Sequence, residues 1–387
     1  MITLLVSRIG SRRFGGCIHN VGAHNHKRKP LMIKTLRRLA AACAMLVVAA
    51  GVSAVTLRDN HPDVYYVKKD DTLWDISGRF LEHPWQWPEI WHVNPAIKNP
   101  HLIFPGDAIR LSWVDGEPRL ELDRASGEQS QLPDGTVKLS PRVREMSRED
   151  AIPAIPMNAI QSYLKQALVL ERADISAAPY ILGGQDRRVI FGGGDTVHAR
   201  DPEQRWENAE QRYGLYRVGE EYVDPVTDEV LGYEARQVGL ASVERIEEDM
   251  ATLQVLRSSE DLRVDDRLFP QPDQRVRALL YPHAPDEKVE GRIIRFFDRI
   301  SSVARNDVVV INRGAREGME EGHVLDIFQQ GEQVRDRQQD EMVRLPRTRA
   351  GSLVLFRVFE KVSYGLIMES QRPVYMNDVV ESPEGSY

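Results

Sequence analysis

The sequence has two cysteines, Cys17 and Cys43, and both lie in its first 54 residues. Everything after residue 54 therefore has no thiol and can form no disulfide, which closes off cysteine peptidase and transpeptidase chemistry there. Acids are missing where bases gather: the first 54 residues hold nine Lys or Arg and no Asp or Glu. Long apolar runs are missing too. The run over 39–52 falls short of the roughly 20 residues that a membrane-spanning helix needs. No HExxH or GxSxG pattern occurs, and the histidines after residue 54 (His61, His83, His92, His101, His198, His283, His323) are scattered without metal-ligand spacing. No catalytic residue, metal site or cofactor site emerges, so the sequence predicts a protein that is not an enzyme.

The present features begin with that basic start. From Met32 the chain reads as a positive segment (Lys34, Arg37, Arg38), the apolar run, and a small-residue site at Val52-Ser53-Ala54. These are the three parts of a secretory signal peptide, with cleavage expected after Ala54 and residues 1–30 an upstream extension. Without residues 1–54, 42 Lys and Arg remain against 58 acids, a formal balance of −16. Such a surface disfavours nucleic acid as a partner.

Length and composition allow two or three domains, and the expected class is multidomain α+β. Five of the six tryptophans fall between 64 and 113, the first expected module. Residues 114–156 turn polar and end in Ile152-Pro153-Ala154-Ile155-Pro156, which reads as a linker with short strands at 119–122 and 137–139. An amphipathic helix is expected over 157–170. Short β-type runs follow at 188–191, 215–218, 229–235, 251–256, 307–311, 323–328, 351–359 and 364–369. A faint repeat at an offset of 112 pairs Gly239-Leu240-Ala241-Ser242-Val243 with Gly351-Ser352-Leu353-Val354-Leu355, and Val255, Ser258 and Asp266 with Ile367, Ser370 and Asp378. The C-terminal region is therefore expected to be mainly β, with two similar units over 157–270 and 271–387.

Within 64–113, Val64-Tyr65-Tyr66-Val67 reads as a strand. Thr72-x-x-Asp75 is a capping box that opens a helix carrying Leu73, Ile76 and Phe80 on one face. A second helix fits 85–93, stopped by Asn94-Pro95, and Pro105-Gly106-Asp107 turns into a closing strand at 108–111. The four tryptophans Trp74, Trp85, Trp87 and Trp91 read first as core, since so small a module needs large side chains to bury enough area. The sharper alternative is that Trp85 or Trp87 stacks on a ligand ring. The acids Glu247-Glu248-Asp249 read as a solvated turn before they read as glycosidase carboxylates, and Phe191-Gly192-Gly193-Gly194-Asp195 as a β-turn.

This βααβ pattern, with Asp-Thr-Leu at the first turn and Asn-Pro, Ile and Pro-Gly-Asp at the end, closely resembles the LysM family. The resemblance implies a shallow groove for N-acetylglucosamine-containing glycans such as peptidoglycan, lined by Asp70, Asp71, Thr72 and Leu73 on one side and Ala96, Ile97, Leu102 and Ile103 on the other. Asp70 stands where the family usually has Gly. The whole arrangement resembles the type IV pilus secretin-associated (TsaP) family, and Val308-Val309-Val310-Ile311-Asn312-Arg313-Gly314 is similar to runs in the β modules of the flagellar protein FlgT. What this implies is a non-catalytic periplasmic anchor, associated with cell wall and outer membrane, that tethers a secretin to peptidoglycan, with a homo-oligomeric ring as its assembly. The alternatives are a peptidoglycan-remodelling enzyme or activator, or a flagellar or other envelope assembly factor.

Overall fold

A computed structural model describes residues 55–91, 103–114, 116–123, 130–131, 137–138, 151–185, 188–204, 206, 211–270, 280–297 and 301–383. The chain divides into two compact units, Met1–Val52 and Ser53–Tyr387. The expected signal segment, with its cleavage site, lies outside the described residues. Among the described residues no helix is long and apolar enough to cross a membrane.

The first module contains strand β1 (Val64–Tyr66), helix α1 (Leu73–Phe80), a 3-10 turn at Pro84–Gln86, helix α2 (Trp87–Trp91) and strands β2 (Ala108–Val114) and β3 (Glu117–Asp123). The capping box forms as the sequence indicates: Thr72 Oγ1 accepts the Asp75 N–H at 3.1 Å, and the Asp75 carboxylate accepts the Thr72 N–H at 3.3 Å. Leu73, Ile76 and Phe80 then fall on one buried face and meet Trp87, Ile90 and Trp91 in the core. The sheet is antiparallel, in the order β1-β2-β3. The strand expected over 119–122 forms as β3, but it pairs with β2 as part of this module instead of lying in a separate linker, and it carries Leu120 into the same core.

The expected linker is therefore not open chain at either end. Its start, β3, is a strand of the first module, and a pair of two-residue strands, β4 (Ser130–Gln131) and β5 (Val137–Lys138), follows. At its far end Ile152 and Ala154 are buried among the module's core residues. The prolines suggest a spacer, but the apolar residues at its far end find a partner surface.

The helix expected over 157–170 stops early: α3 spans Met157–Gln166, and Ala167–Leu170 is a strand, β6. Leu170 to Ala167 pair antiparallel with Tyr233 to Arg236, so four ladder positions override the helical spacing of the side chains. After the short helix α4 (Arg172–Ala177) come β7 (Tyr180–Gly184), β8 (Ile190–Phe191), β9 (Thr196–Arg200), β10 (Arg212–Val223), β11 (Val230–Glu247), β12 (Met250–Ser258), β13 (Leu262–Arg263) and β14 (Arg267–Pro270). Their sheet runs β10-β14-β7-β9-β12-β11-β6, and a further pairing of β10 with β11 joins it into a ring; β8 and β13 pair separately.

The last part holds β15 (Glu290–Phe296), β16 (Val308–Ile311), β17 (Val324–Gln329), β18 (Gln333–Asp336), β19 (Glu341–Arg344), β20 (Thr348–Val358), β21 (Ser363–Ser370) and β22 (Val379–Glu381). Six of them close a barrel in the order β15-β16-β21-β20-β17-β22, and β18 with β19 forms a separate hairpin. Each of the eight β runs read from the sequence overlaps a strand of these two parts, although the run at 188–191 meets only the two residues of β8.

One turn recurs six times among the described residues. The carboxylates of Asp71, Asp107, Asp195, Asp266, Asp307 and Asp378 each accept the backbone N–H three residues earlier, at 2.7–3.0 Å. The residue before each Asp has positive φ: Asp70, Gly106, Gly194, Asp265, Asn306 and Asn377. Gly, Asn and Asp are the residues that enter this region at least cost, which is why the turn reads as Gly-Asp, Asp-Asp or Asn-Asp in the sequence.

The run Val308-Val309-Val310-Ile311 is apolar at every position because β16 is covered on both faces. Val309 and Ile311 point into the barrel with Ile293, Leu325 and Leu353, whereas Val308 and Val310 join an outer cluster with Val354, Phe356 and Tyr364. Trp74 and Trp85 of the first module, Ile155 and Ile160 of the following segment, and Tyr222 and Leu231 of the β10–β11 hairpin cover that outer cluster. The hairpin is also held by polar contacts: Asn312 donates to the Asp224 carboxylate at 2.8 Å, and Glu229 lies 2.8 Å from Arg316 and 3.0 Å from Lys361.

Candidate functional site

The loop after β1 is built around Asp71, whose carboxylate accepts the Lys68 N–H at 2.7 Å and the Tyr65 hydroxyl at 3.0 Å. Burial and then the neighbouring carboxylate push the Tyr65 hydroxyl up from its ordinary value. Asp70 takes φ 71°, the left-handed conformation a glycine adopts without penalty. The departure from the family's glycine thus leaves the turn in place at an energetic cost. Asp70→Gly is expected to raise the first module's stability by about 0.5–1 kcal/mol, read as a higher melting temperature. An unchanged or lower value would show that the Asp70 side chain offsets the strain.

Thr72 is buried and its hydroxyl is used up: it accepts from Asp75 N–H and donates to the Asp75 carboxylate at 2.8 Å. Leu73 is fully buried in the module core. Of the four residues assigned to this wall, Asp71 and Thr72 hold the loop and the helix start, and Leu73 packs. What the wall presents is backbone. The first turn of a helix leaves its N–H groups without intrahelical acceptors. Here Thr72 supplies acceptors for Asp75 and Ile76, through its hydroxyl and its carbonyl. The N–H groups of Leu73 and Trp74 are left to point outward.

On the opposite wall Ile103 is fully buried, and Ala96, Ile97 and Leu102 lie outside the described residues. Residues 152–154 run between the walls. Ile152 N–H donates to the Ile103 carbonyl at 2.8 Å, Leu73 N–H to the Pro153 carbonyl at 3.0 Å, and Trp74 N–H to the Ala154 carbonyl at 3.3 Å. Two buried side chains at roughly 1.5–3 kcal/mol for the larger, and three hydrogen bonds at about 1 kcal/mol each, stand against about 1–2 kcal/mol per ordered residue. The balance is close. Sequence reading missed this segment because nothing in Ile-Pro-Ala-Ile-Pro distinguishes a spacer from a strand-like ligand.

The tryptophans are packed as the simpler reading has it. Trp74, Trp85, Trp87 and Trp91 are all buried, so neither Trp85 nor Trp87 offers a face for a sugar ring. Trp87 instead lies 5.9 Å from Tyr281, in the segment that leads into the second barrel. Glu247, Glu248 and Asp249 sit at the turn between β11 and β12, where Asp249 pairs with Arg200 at 2.6 Å.

The histidines are less scattered in space than in sequence. His283 and His323 stand in a bridge with ring centroids 4.7 Å apart, and one ligand atom each from His283, Glu320 and His323 lies within 4.8 Å of the others. Their separation by forty positions hid them. The Nδ1 of His323 accepts the Glu320 N–H at 3.2 Å, which leaves the neutral ring's proton on Nε2, so coordination through Nε2 would need that proton on Nδ1 and the bond from Glu320 broken.

Burial, and then the neighbouring His283, lower the pKa of His323. A histidine depressed in the fold contributes stability above its unfolded pKa of about 6.5, and loses it as pH falls toward the folded value. The melting temperature is therefore expected to drop more steeply between pH 7 and 5 in the wild type than in His323→Asn. Equal slopes would remove His323 from the account.

Residues 65–112 match the LysM domain family. LysM is a binding domain, not a catalytic one, and LysM domains bind N-acetylglucosamine-containing glycans such as peptidoglycan. A curated relative, "Uncharacterized protein YqbP" of Bacillus subtilis (strain 168), is 40% identical over 60 residues, which cover 13% of this chain. The chain spans 27% of that relative's length.

Proposed function

We propose that this protein is a non-catalytic peptidoglycan-binding anchor of the periplasm, exported by its N-terminal signal segment, whose β region engages an outer-membrane secretin of a type IV pilus machine. The observation that carries the wall-binding half is the LysM module itself, with two helix N–H groups and a facing carbonyl between its walls. An acetamido group needs such donors and an acceptor, beside apolar surface for its methyl. The full chain is expected to pellet with purified sacculi and to be released by soluble N-acetylglucosamine oligomers. Pelleting that the oligomers leave unchanged would sink the glycan reading.

The β region supports the partner-binding half. Written in chain order, both rings take their strands in the sequence first, second, fifth, fourth, third, sixth: β7-β9-β12-β11-β10-β14 and β15-β16-β21-β20-β17-β22. Backbone bonds match at the offset of 112. Ile181 N–H donates to the Asp266 carbonyl and Ile293 N–H to the Asp378 carbonyl, both at 3.0 Å; Val255 and Ile367 donate alike to the Asp195 and Asp307 carbonyls. On our reading the two units are copies of one module, serving as paired binding platforms.

From the second ring projects the β18–β19 hairpin, in which Val334, Met342 and Val343 are exposed, with Leu345 beside them. A hairpin that exposes these apolar side chains among charged ones is suited to being covered by a partner or by a neighbouring copy in a ring. Met342→Asp is expected to abolish co-purification of the secretin from solubilised envelopes without changing the melting temperature. Undiminished recovery would exclude this hairpin as the docking surface.

A further inference from the structure

We infer that residues 152–154 are an intramolecular competitor for the LysM groove, so that glycan and the chain's own strap bind there in turn; this rests on the groove being the glycan site. The strap offers the groove the same groups an N-acetyl sugar does. Its carbonyls, from Pro153 and Ala154, take the Leu73 and Trp74 N–H groups; its N–H, from Ile152, meets the Ile103 carbonyl; and Ala154 places a methyl in the core. Each of those N–H groups has one hydrogen to give, so strap and acetamido carbonyl exclude each other.

The composition of the strap suits a segment that must leave. Pro153 and Pro156 carry no N–H, so release strands few donors that the module had satisfied. Release also reaches beyond the groove. Ile155 follows the strap directly and packs with Trp74 and Trp85 against the outer face of the second barrel. Glycan capture therefore loosens the LysM module from the barrel, and by reciprocity a partner that holds the module against the barrel weakens glycan capture.

The apparent affinity of a site is its intrinsic affinity scaled by the fraction of molecules in which it is open. For a strap docked nine times in ten, opening it fully tightens glycan binding about tenfold. The test uses the full chain and chitotetraose, with calorimetry for affinity and hydrogen exchange for the strap. Ile152→Asp, with Ile152→Ala as the milder variant, is expected to bind about tenfold more tightly than wild type. In the wild type, saturating chitotetraose is expected to speed exchange at Ile152, the strap residue whose N–H the Ile103 carbonyl holds. The wild-type exchange arm decides the matter even where a variant fails to fold. Binding of chitotetraose with the strap still protected overturns the competition and leaves glycan binding standing. No binding by wild type or variants overturns the glycan reading itself, and the competition with it.

Discussion

Tyr364→Ala is expected to cost about 3–5 kcal/mol, the range for deleting a large aromatic from a packed core. Tyr364 is fully buried in the outer cluster of the second barrel. Its ring meets Phe359 at 5.0 Å and Phe297 at 5.1 Å between centroids, and its hydroxyl lies 3.3 Å from that of Tyr222. Burial pushes both hydroxyls well above the ordinary tyrosine range. Because Tyr222 belongs to the β10–β11 hairpin of the first ring, the substitution removes packing that joins the two β units. Denaturant unfolding should show the loss, and small-angle scattering should show a larger radius of gyration. Tyr364→Phe separates the components: it keeps the ring and removes one hydroxyl, for about 1–3 kcal/mol, because the Tyr222 hydroxyl is left buried. A loss in Tyr364→Ala no greater than in Tyr364→Phe would mean that the ring packing contributes nothing.

Trp87→Ala is expected to have an effect of the same size, concentrated in a much smaller core. Trp87 is fully buried with Leu73, Phe80, Ile90 and Trp91. A module of this length without disulfides has little stability to spare, so about 3–5 kcal/mol unfolds it. The variant should lose sacculus pelleting and the thermal transition of the LysM module, while the two β rings keep theirs. Retained pelleting with that transition gone would place wall binding elsewhere in the chain.

These two residues show how unevenly the fold was legible. Trp87 is announced by local pattern: a tryptophan-rich stretch between a capping box and a Pro-Gly-Asp turn leaves few foldings open. Tyr364 lies in an unremarkable β run, and its partners Tyr222 and Phe297 are distant in sequence. Strands with alternating or continuous apolar residues, such as β11, β16 and β20, were readable. The short ring-closing strands β7, β9 and β22 were not, because a few residues carry little periodicity and their pairing is decided by long-range closure.

The sequence by itself determined the local units. Thr72 and Asp75 fix the start of α1, the Asp turns fix where strands begin, and the absence of thiols after residue 54 closes cysteine chemistry there. These are short-range matters of hydrogen bonding and φ, and the residues concerned are neighbours. Only the tertiary structure decided what occupies the groove between Leu73 and Ile103. Ile-Pro-Ala-Ile-Pro is equally suited to spanning solvent or lying against a protein. The choice depends on two N–H groups and a carbonyl some fifty to eighty positions earlier in the chain, brought to its side by folding.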